Sequence, residues 1–207
     1  MRTVRYDTVN PRILERIPAE ARVLDVGCAT GLLGRVLCAR GQKRLVGLEA
    51  DSGMATEARP HYDIVICTDV EHSAPGVLGE ERFDVIVCAD VLEHLRDPAA
   101  VLAWLSGYLA PGGLVLISVP NVAFVSVRLS LLAGCWEYNP QGGIMDRGHL
   151  RFFTRRTLRK LIAEAGLRAD FVTGYNLVRP RYAFLKILGA VWPTLFSIQF
   201  IAGARKS

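Results

Sequence analysis

Residues 23–31, VLDVGCATG, decide how the rest of the chain is read. Val23, Leu24 and Val26 are apolar and mostly β-branched, which predicts a buried strand. Gly27 and Gly31 bracket a turn whose backbone must bend sharply and lie close to something. Leu32, Leu33, Val36 and Leu37 then recur at helical spacing. A strand, a bare-backbone turn and a helix form a nucleotide-type corner at the carboxyl end of a first strand. The dinucleotide fingerprint GxGxxG, counted from Gly27, needs glycines where Ala29 and Leu32 stand. The acid Asp25 also suits a cationic ligand better than a pyrophosphate. Alanine at position 29 is small enough for close approach and predicts a less unusual backbone there than glycine would.

Further strand ends carry acids. Leu45, Val46 and Leu48 predict a second strand ending at Glu49-Ala50, and Glu49 lies 22 residues after Gly27. That is near the roughly 20-residue offset at which an acid holds ribose hydroxyls in doubly wound folds. Residues 64–67 predict a third strand, followed by Asp69-Val70. Phe83 and Val85–Cys88 form a near-continuous apolar run, as in a parallel strand buried on both faces. Ala89-Asp90 turns the chain, and Val91, Leu92 and Leu95 predict a helix carrying Glu93 and His94. Pro111-Gly112-Gly113 predicts a turn into a fifth strand, Leu114–Val119, which ends at Pro120-Asn121.

Taken in this order, the DxGxAxG loop, the acid at 49, the FDVIVCADVLEHLRDP run and the PGG-strand-PN segment resemble class I S-adenosylmethionine-dependent methyltransferases over about residues 20–170. The resemblance implies an α/β, three-layer, doubly wound Rossmann-like sheet of seven strands, order 3-2-1-4-5-7-6, the last antiparallel. It implies S-adenosyl-L-methionine as cofactor, held by Asp25, Gly27, Cys28, Ala29, Gly31, Glu49, Ala50, Asp69, Val70, Ala89 and Asp90. Asp69 would accept from the adenine amine, with the Val70 amide beside the ring. The chain divides as one domain: an N-terminal cap helix (1–19), a cofactor half (20–120), a substrate lid (121–153) and C-terminal strands with an apolar helix (154–207).

In the cap, Asn10 and Pro11 predict a helix start over the pocket mouth, bringing Tyr6 near the ligand. Residues 122–133 predict an apolar helix with Arg128 exposed. The loop after it contains Trp136, Asp146, Arg147, His149 and Arg151, a composition suited to a lid over an acceptor. Asn121, Trp136, Asp146, Arg147 and Arg151 are candidate acceptor contacts. Methyl transfer to oxygen or nitrogen removes a proton, which a histidine near neutral pKa takes up well. His94, past the fourth strand, and His149, with Asp146 near it in sequence, are the candidate bases. The competing role for His94 is holding the helix start against a carboxylate, and for His149 pinning the loop by hydrogen bonds. The DRGHLRFFT run resembles a subgroup found beside glycosyltransferases, which implies a sugar or lipid-linked glycan acceptor. The arginines around it suit phosphate or carboxylate, or simply a solvated helix face. Thr154 is a helix N-cap, and Leu158, Leu161, Ile162 and Ala165 form that helix's core face.

Of the 207 residues, 51% are hydrophobic and 22% charged, with net charge +5, as in a globular domain. No RNA-binding signature, lysine tract or Cys/His metal spacing appears, so neither nucleic acid nor a metal is expected. Five cysteines without CxxC predict free thiols, buried beside strands at Cys28, Cys67 and Cys88. With no apolar segment at the start, a cytoplasmic location is expected. Residues 182–204 hold one charge, Lys186, which raises membrane-surface association. Tyr182 and Lys186 also form a YxxxK pair, as in nicotinamide-dependent oxidoreductases, though no strand-borne serine precedes it at the proper distance. A non-catalytic S-adenosylmethionine-binding regulator is the remaining alternative.

Overall fold

A computed structural model describes residues 9–73, 76–176, 188 and 190–206. Tyr6 and the Tyr182–Lys186 pair lie outside the described residues. In chain order the elements are α1 (Pro11–Leu14), β1 (Arg22–Val26), α2 (Leu32–Ala39), β2 (Arg44–Glu49), α3 (Ser52–Ala58), β3 (Ile64–Cys67) and β4 (Phe83–Ala89). Then follow α4 (Pro98–Ser106), β5 (Leu109–Pro120), α5 (Val125–Leu132), α6 (Arg155–Glu164), β6 (Leu167–Tyr175), a short helix Pro193–Phe196, and β7 (Gln199–Lys206).

The seven strands form one sheet in the order β3-β2-β1-β4-β5-β7-β6. Strands β1 to β5 pair in parallel, and β7 runs antiparallel to both β5 and β6. This is the expected topology. Alternation along the central strands divides their side chains between two cores. Leu24, Val26, Ile86 and Cys88 pack with residues of α4 and α6 on one face. Val23, Val85 and Val87 pack with Ile13, Ile17 and Leu37 on the other. Both faces are covered, which is why β4 reads as an unbroken apolar run. Each fully buried Leu or Ile contributes roughly 1.5–3 kcal/mol.

Capping chemistry sets several starts. Asn10 accepts from the Arg12 amide ahead of Pro11, and Thr154 and Thr157 close a reciprocal capping box on α6. Leu158, Leu161 and Ile162 form the buried face of α6. The two C-terminal strands, β6 from Leu167 and β7 to Lys206, complete the sheet.

Other expectations are corrected. No α-helix starts at Val91; Leu92–His94 form a single 3-10 turn, and α4 begins at Pro98 behind the Asp97 cap. Glu93 and His94 therefore sit on a tight corner. Pro111-Gly112-Gly113 does not precede β5 but bulges within it, since Leu109 already pairs with Phe83 before Leu114 pairs with Val85. Cys67 is exposed because β3 is an edge strand, whereas Cys28 and Cys88 are buried.

The sharpest correction is at Ala29. Its φ is +47°, between Gly27 at +68° and Gly31 at +84°. Alanine thus occupies the left-handed region, held there by its amide donating to Glu49 Oε2 at 2.8 Å. The left-handed conformation costs an L-residue roughly 1–2 kcal/mol. Glycine returns about 0.4–1 kcal/mol of that through its freer unfolded state. Ala29→Gly is therefore expected to stabilise the protein by about 0.5–1 kcal/mol, read as a higher urea midpoint at unchanged slope; destabilisation would mean that the alanine methyl is packed rather than strained.

Candidate active site

The site lies where β1 and β4 run side by side and their following segments leave in opposite directions. On the β1 side, Asp25 is buried and accepts from the Tyr62 hydroxyl at 2.5 Å, and that hydroxyl accepts from the Gly34 amide at 3.0 Å. Asp25 thereby ties the first turn of α2 to the strand. A Cβ at Gly34 would lie 2.3 Å from the Tyr62 ring, so the close approach requires glycine. Burial, opposed by the Tyr62 bond, raises the Asp25 carboxyl to about 7. Tyr62 carries no sequence signal for this role, because only the fold brings it back across 37 residues.

A cavity of about 290 Å³ opens over this corner, lined by Asp25, Gly27, Cys28 and Ala29 from the loop, Ala89 and Asp90 from β4, and Asn10 and Ile13 from the cap. The N-terminal helix thus borders the cavity. Glu49 stands beside it: one carboxylate oxygen accepts from Ala29 N and the other from Asp51 N at 2.9 Å. Asp69 follows the next strand outward. It accepts from Glu71 N and His72 Nδ1, and the His72 bond, foremost, holds its carboxyl low. Neither Glu49 nor Asp69 borders the cavity itself: Glu49 ends β2 and Asp69 lies two residues past β3, with Ala50 and Val70 next to them in sequence.

Asp90 closes β4 with φ +54°. Its amide donates to Ser118 O at 3.1 Å, and its carboxylate accepts from Ser118 Oγ at 3.1 Å and from Gln199 Nε2. Gln199 in turn accepts from Asn10 Nδ2 at 3.0 Å. One chain of side chains thus joins the cap, β7 and the β4 corner. Ser118, Tyr175 and Gln199 all border the first cavity, and nothing in their sequence context marks them.

A second cavity of about 220 Å³ adjoins the first and shares Asp90, Tyr175 and Gln199 with it. Its other walls are Glu93 from the 3-10 turn, Gly143, Ile144, Asp146 and His149 from the lid, and Pro120 and Ile198. His149 is 7% exposed. Its Nδ1 meets the Ile144 carbonyl at 3.1 Å and must donate there, which leaves the Nε2 lone pair free to accept. Burial lowers its pKa, so it is neutral at physiological pH. Asp146 does not orient this ring, as its sequence proximity suggests; its carboxylate accepts from Gly148 N at 2.6 Å. His94 is exposed and pins the lid through Gly148 O at 3.1 Å, rather than holding a helix start against a carboxylate. The rings of His94 and His149 meet edge-on at 4.9 Å.

Other candidate acceptor residues fall outside the cavity. Asn121 is fully buried, its amide donating to Thr194 O and Ser197 O and accepting from Ala123 N, so it locks the end of β5. Arg151 donates to Arg96 O, Arg147 is exposed, and Trp136 packs on Phe152 beside a separate hollow. A concentration of arginine is visible in sequence; the cavity it was expected to line is instead acidic.

Comparison with known proteins agrees with this geometry. Residues 2–170 match a family model described as a methyltransferase domain. A ubiquinone biosynthesis O-methyltransferase of Thiobacillus denitrificans is 30% identical over 187 residues, covering 81% of this chain and 76% of that protein. A protein of the same name from Ruegeria pomeroyi is 32% identical, covering 74% and 62%. Among solved structures, an S-adenosylmethionine-dependent methyltransferase from Mesorhizobium loti superposes with TM-score 0.66 at 18% identity, over 95% and 96% of the two chains. Magnesium protoporphyrin IX methyltransferase from Synechocystis, solved with bound S-adenosylhomocysteine, gives 0.62 at 16%, over 95% and 78%. The chain belongs to the methyltransferase family of that model, and it is an enzyme of the S-adenosylmethionine-dependent class. The corner fits that cofactor: bare left-handed backbone allows close approach, and the buried acids Asp25 and Asp90 face a cavity suited to a cationic sulfonium.

A carboxyl raised from about 4 when unfolded to about 7 when folded favours folding fully only below the lower value. That contribution, on the order of 4 kcal/mol, fades as pH rises from about 4 through 7. The ligand-free protein should therefore melt at progressively lower temperature across this window, and Asp25→Asn should flatten the decline while leaving the acid-side melting point nearly unchanged; equal slopes in both proteins would contradict the assignment.

Proposed function

We propose that this enzyme transfers a methyl group from S-adenosylmethionine to a hydroxyl oxygen of a small-molecule acceptor bound in the cavity between Glu93 and His149. The observation that carries the reading is the pair of adjoining cavities meeting at Asp90, Tyr175 and Gln199. One has the bare-backbone corner of the cofactor class; the other presents a neutral histidine. Bound there, the cofactor supplies an activated methyl. The chain's own contribution is to hold the two reactants in line and receive the acceptor's proton. Oxygen is favoured over nitrogen because the curated relatives are named O-methyltransferases. His149 Nε2 is the proton-accepting atom, and His94 serves to hold the lid.

In this reading Asp25, Gly27, Cys28, Ala29 and Gly31 cradle the amino-acid end, Glu49 and Ala50 meet the ribose, Asp69 and Val70 meet the adenine, and Ala89-Asp90 close the far wall. The acidic lining of the acceptor cavity supports a neutral hydroxylated acceptor over a phosphorylated glycan, since Arg147 and Arg151 lie outside it.

We also propose peripheral membrane association through the apolar C-terminal segment. Among the described residues no helix is long and apolar enough to cross a membrane. Val191 and Trp192 nevertheless stand 81% and 58% exposed. An aromatic and an aliphatic side chain presented together suit a lipid interface. Trp192→Glu should abolish co-sedimentation with anionic lipid vesicles; retention by the variant would discard this assignment.

The catalytic reading is tested by thermal shift and by methyl transfer to a panel of phenols, catechols and sugars. S-adenosylmethionine and its homocysteine product at about 100 Kd should each stabilise the protein by about 2.7 kcal/mol. NAD should not, and a shift with NAD alone would overturn the class. Glu49→Ala should lose the shift. His149→Ala should keep it while kcat falls about 10²–10⁴-fold; full activity in that variant would remove His149 as the base.

A further inference from the structure

Tyr62 reaches the cofactor corner from the segment before β3, and its surroundings leave its hydroxyl one role. The Gly34 amide donates to the phenolic oxygen at 3.0 Å, so the single phenolic proton goes to Asp25 Oδ2, 2.5 Å away. Burial pushes the hydroxyl's pKa up, so it keeps that proton. The ring is seated as tightly. A Cβ at Gly34 would lie 2.3 Å from it, and one at Gly47 would lie 3.5 Å from it and 2.8 Å from Cys28 Sγ. Two glycines, one on α2 and one on β2, thus make the slot that fixes the hydroxyl. Asp25 is 4% exposed and borders the cofactor cavity, whose lining holds the acids Asp25 and Asp90 and no basic side chain among the described residues. Its Oδ1 takes no hydrogen bond from the described residues, whereas Asp90 Oδ1 already accepts from Ser118 and Gln199.

We propose that Tyr62 is a positioning residue for the cofactor's α-ammonium group: its hydroxyl holds one oxygen of Asp25 and leaves the other for the cavity. This inference deepens the methyltransferase reading above and rests on it. A carboxylate at this depth is poorly solvated and takes up a proton unless donors or a cation compensate it. Tyr62 supplies the donor, and the ammonium of the bound cofactor supplies the cation. The groups facing Asp25 from the elements packed against it are Tyr62, Glu49 at the end of β2, Cys28 in the loop and Cys88 on β4, and none of them is a cation. Burial raises the Asp25 carboxyl to about 7, Tyr62 draws it down and Glu49 pushes it up. Asp25 thus titrates near neutral pH, and an arriving ammonium draws it to the charged form, its proton leaving to solvent. Without the Tyr62 hydroxyl the carboxyl titrates higher and loses its fixed direction. The amino-acid end of the cofactor is then held less well, while its nucleoside end is untouched.

The test compares S-adenosylhomocysteine with methylthioadenosine, a nucleoside thioether without the amino-acid end, by titration calorimetry on the full chain. Neither carries a sulfonium, so the comparison isolates the amino-acid end. In the wild-type protein the preference for S-adenosylhomocysteine should rise about tenfold per pH unit on the acid side, the slope of one linked proton, and bend near pH 7. Tyr62→Phe keeps the ring in its slot. It should bind S-adenosylhomocysteine about 10–100-fold more weakly at neutral pH, the range for a hydrogen bond to a charged group, and methylthioadenosine as the wild type does. Its bend should lie at higher pH. A ring-fluorinated tyrosine at position 62, a stronger donor of nearly the same shape, should move the bend to lower pH, and this arm decides the matter if Tyr62→Phe does not fold. In Asp25→Asn the preference should be independent of pH below the α-amino range of roughly 7.7–8, and adding Tyr62→Phe should cost nothing further. Equal loss of both ligands in Tyr62→Phe, an unmoved bend in the fluorinated protein, or additive losses with Asp25→Asn would overturn the assignment. Failure of the wild type to bind either ligand would instead sink the cofactor reading on which it rests.

Discussion

Strands β1 and β4 are hydrogen-bonded neighbours, but β2 lies to one side of them and β5 to the other. The connections that follow must separate, and a crevice opens at their carboxyl ends. Everything else in the site follows from this constraint. The two strand ends must both turn at once, so both corners use left-handed backbone, at Gly27 to Gly31 and at Asp90. Such corners need outside support. Glu49 supplies it to Ala29, while Ser118 and Gln199 supply it to Asp90. The neighbouring strands β2, β5 and β7 therefore serve as braces for backbone that would otherwise relax.

The crevice is also a place where acids are kept out of water. Asp25, Asp90 and Glu93 are all buried, and burial raises the carboxyl of each. In the free protein this costs stability at neutral pH, because the charged forms are poorly solvated. A cationic ligand reverses the penalty.

The loop around His149 is held by a different kind of contact. The lid is tied down by main-chain carbonyls: His94 to Gly148, His149 to Ile144, and the Glu93 carbonyl to the amides of Leu150 and Arg151. These bonds set the tautomer of His149 and bring its ring over the cavity. The charged lid side chains that attract notice in sequence, Arg147 and Arg151, do not line the cavity.

The glycine corner, the acid at Glu49 and the caps at Asn10 and Thr154 are legible in the chain alone, because each depends on residues close in sequence, whereas the sheet order came from the resemblance to the methyltransferase class. Strand burial shows in the apolar run at 85–88, and the corner shows in Gly27 and Gly31. What the chain alone misplaces depends on distant partners. Ala29 takes a left-handed φ because Glu49 holds it. Glu93 lies on a 3-10 turn, and Asn121 is spent on the carbonyls of Thr194 and Ser197. Tyr62, Ser118, Tyr175 and Gln199 reach the site only through strand pairing and packing. Local preference decides where elements begin and what they bury; which side chains face one another across a crevice is decided by the register of the sheet.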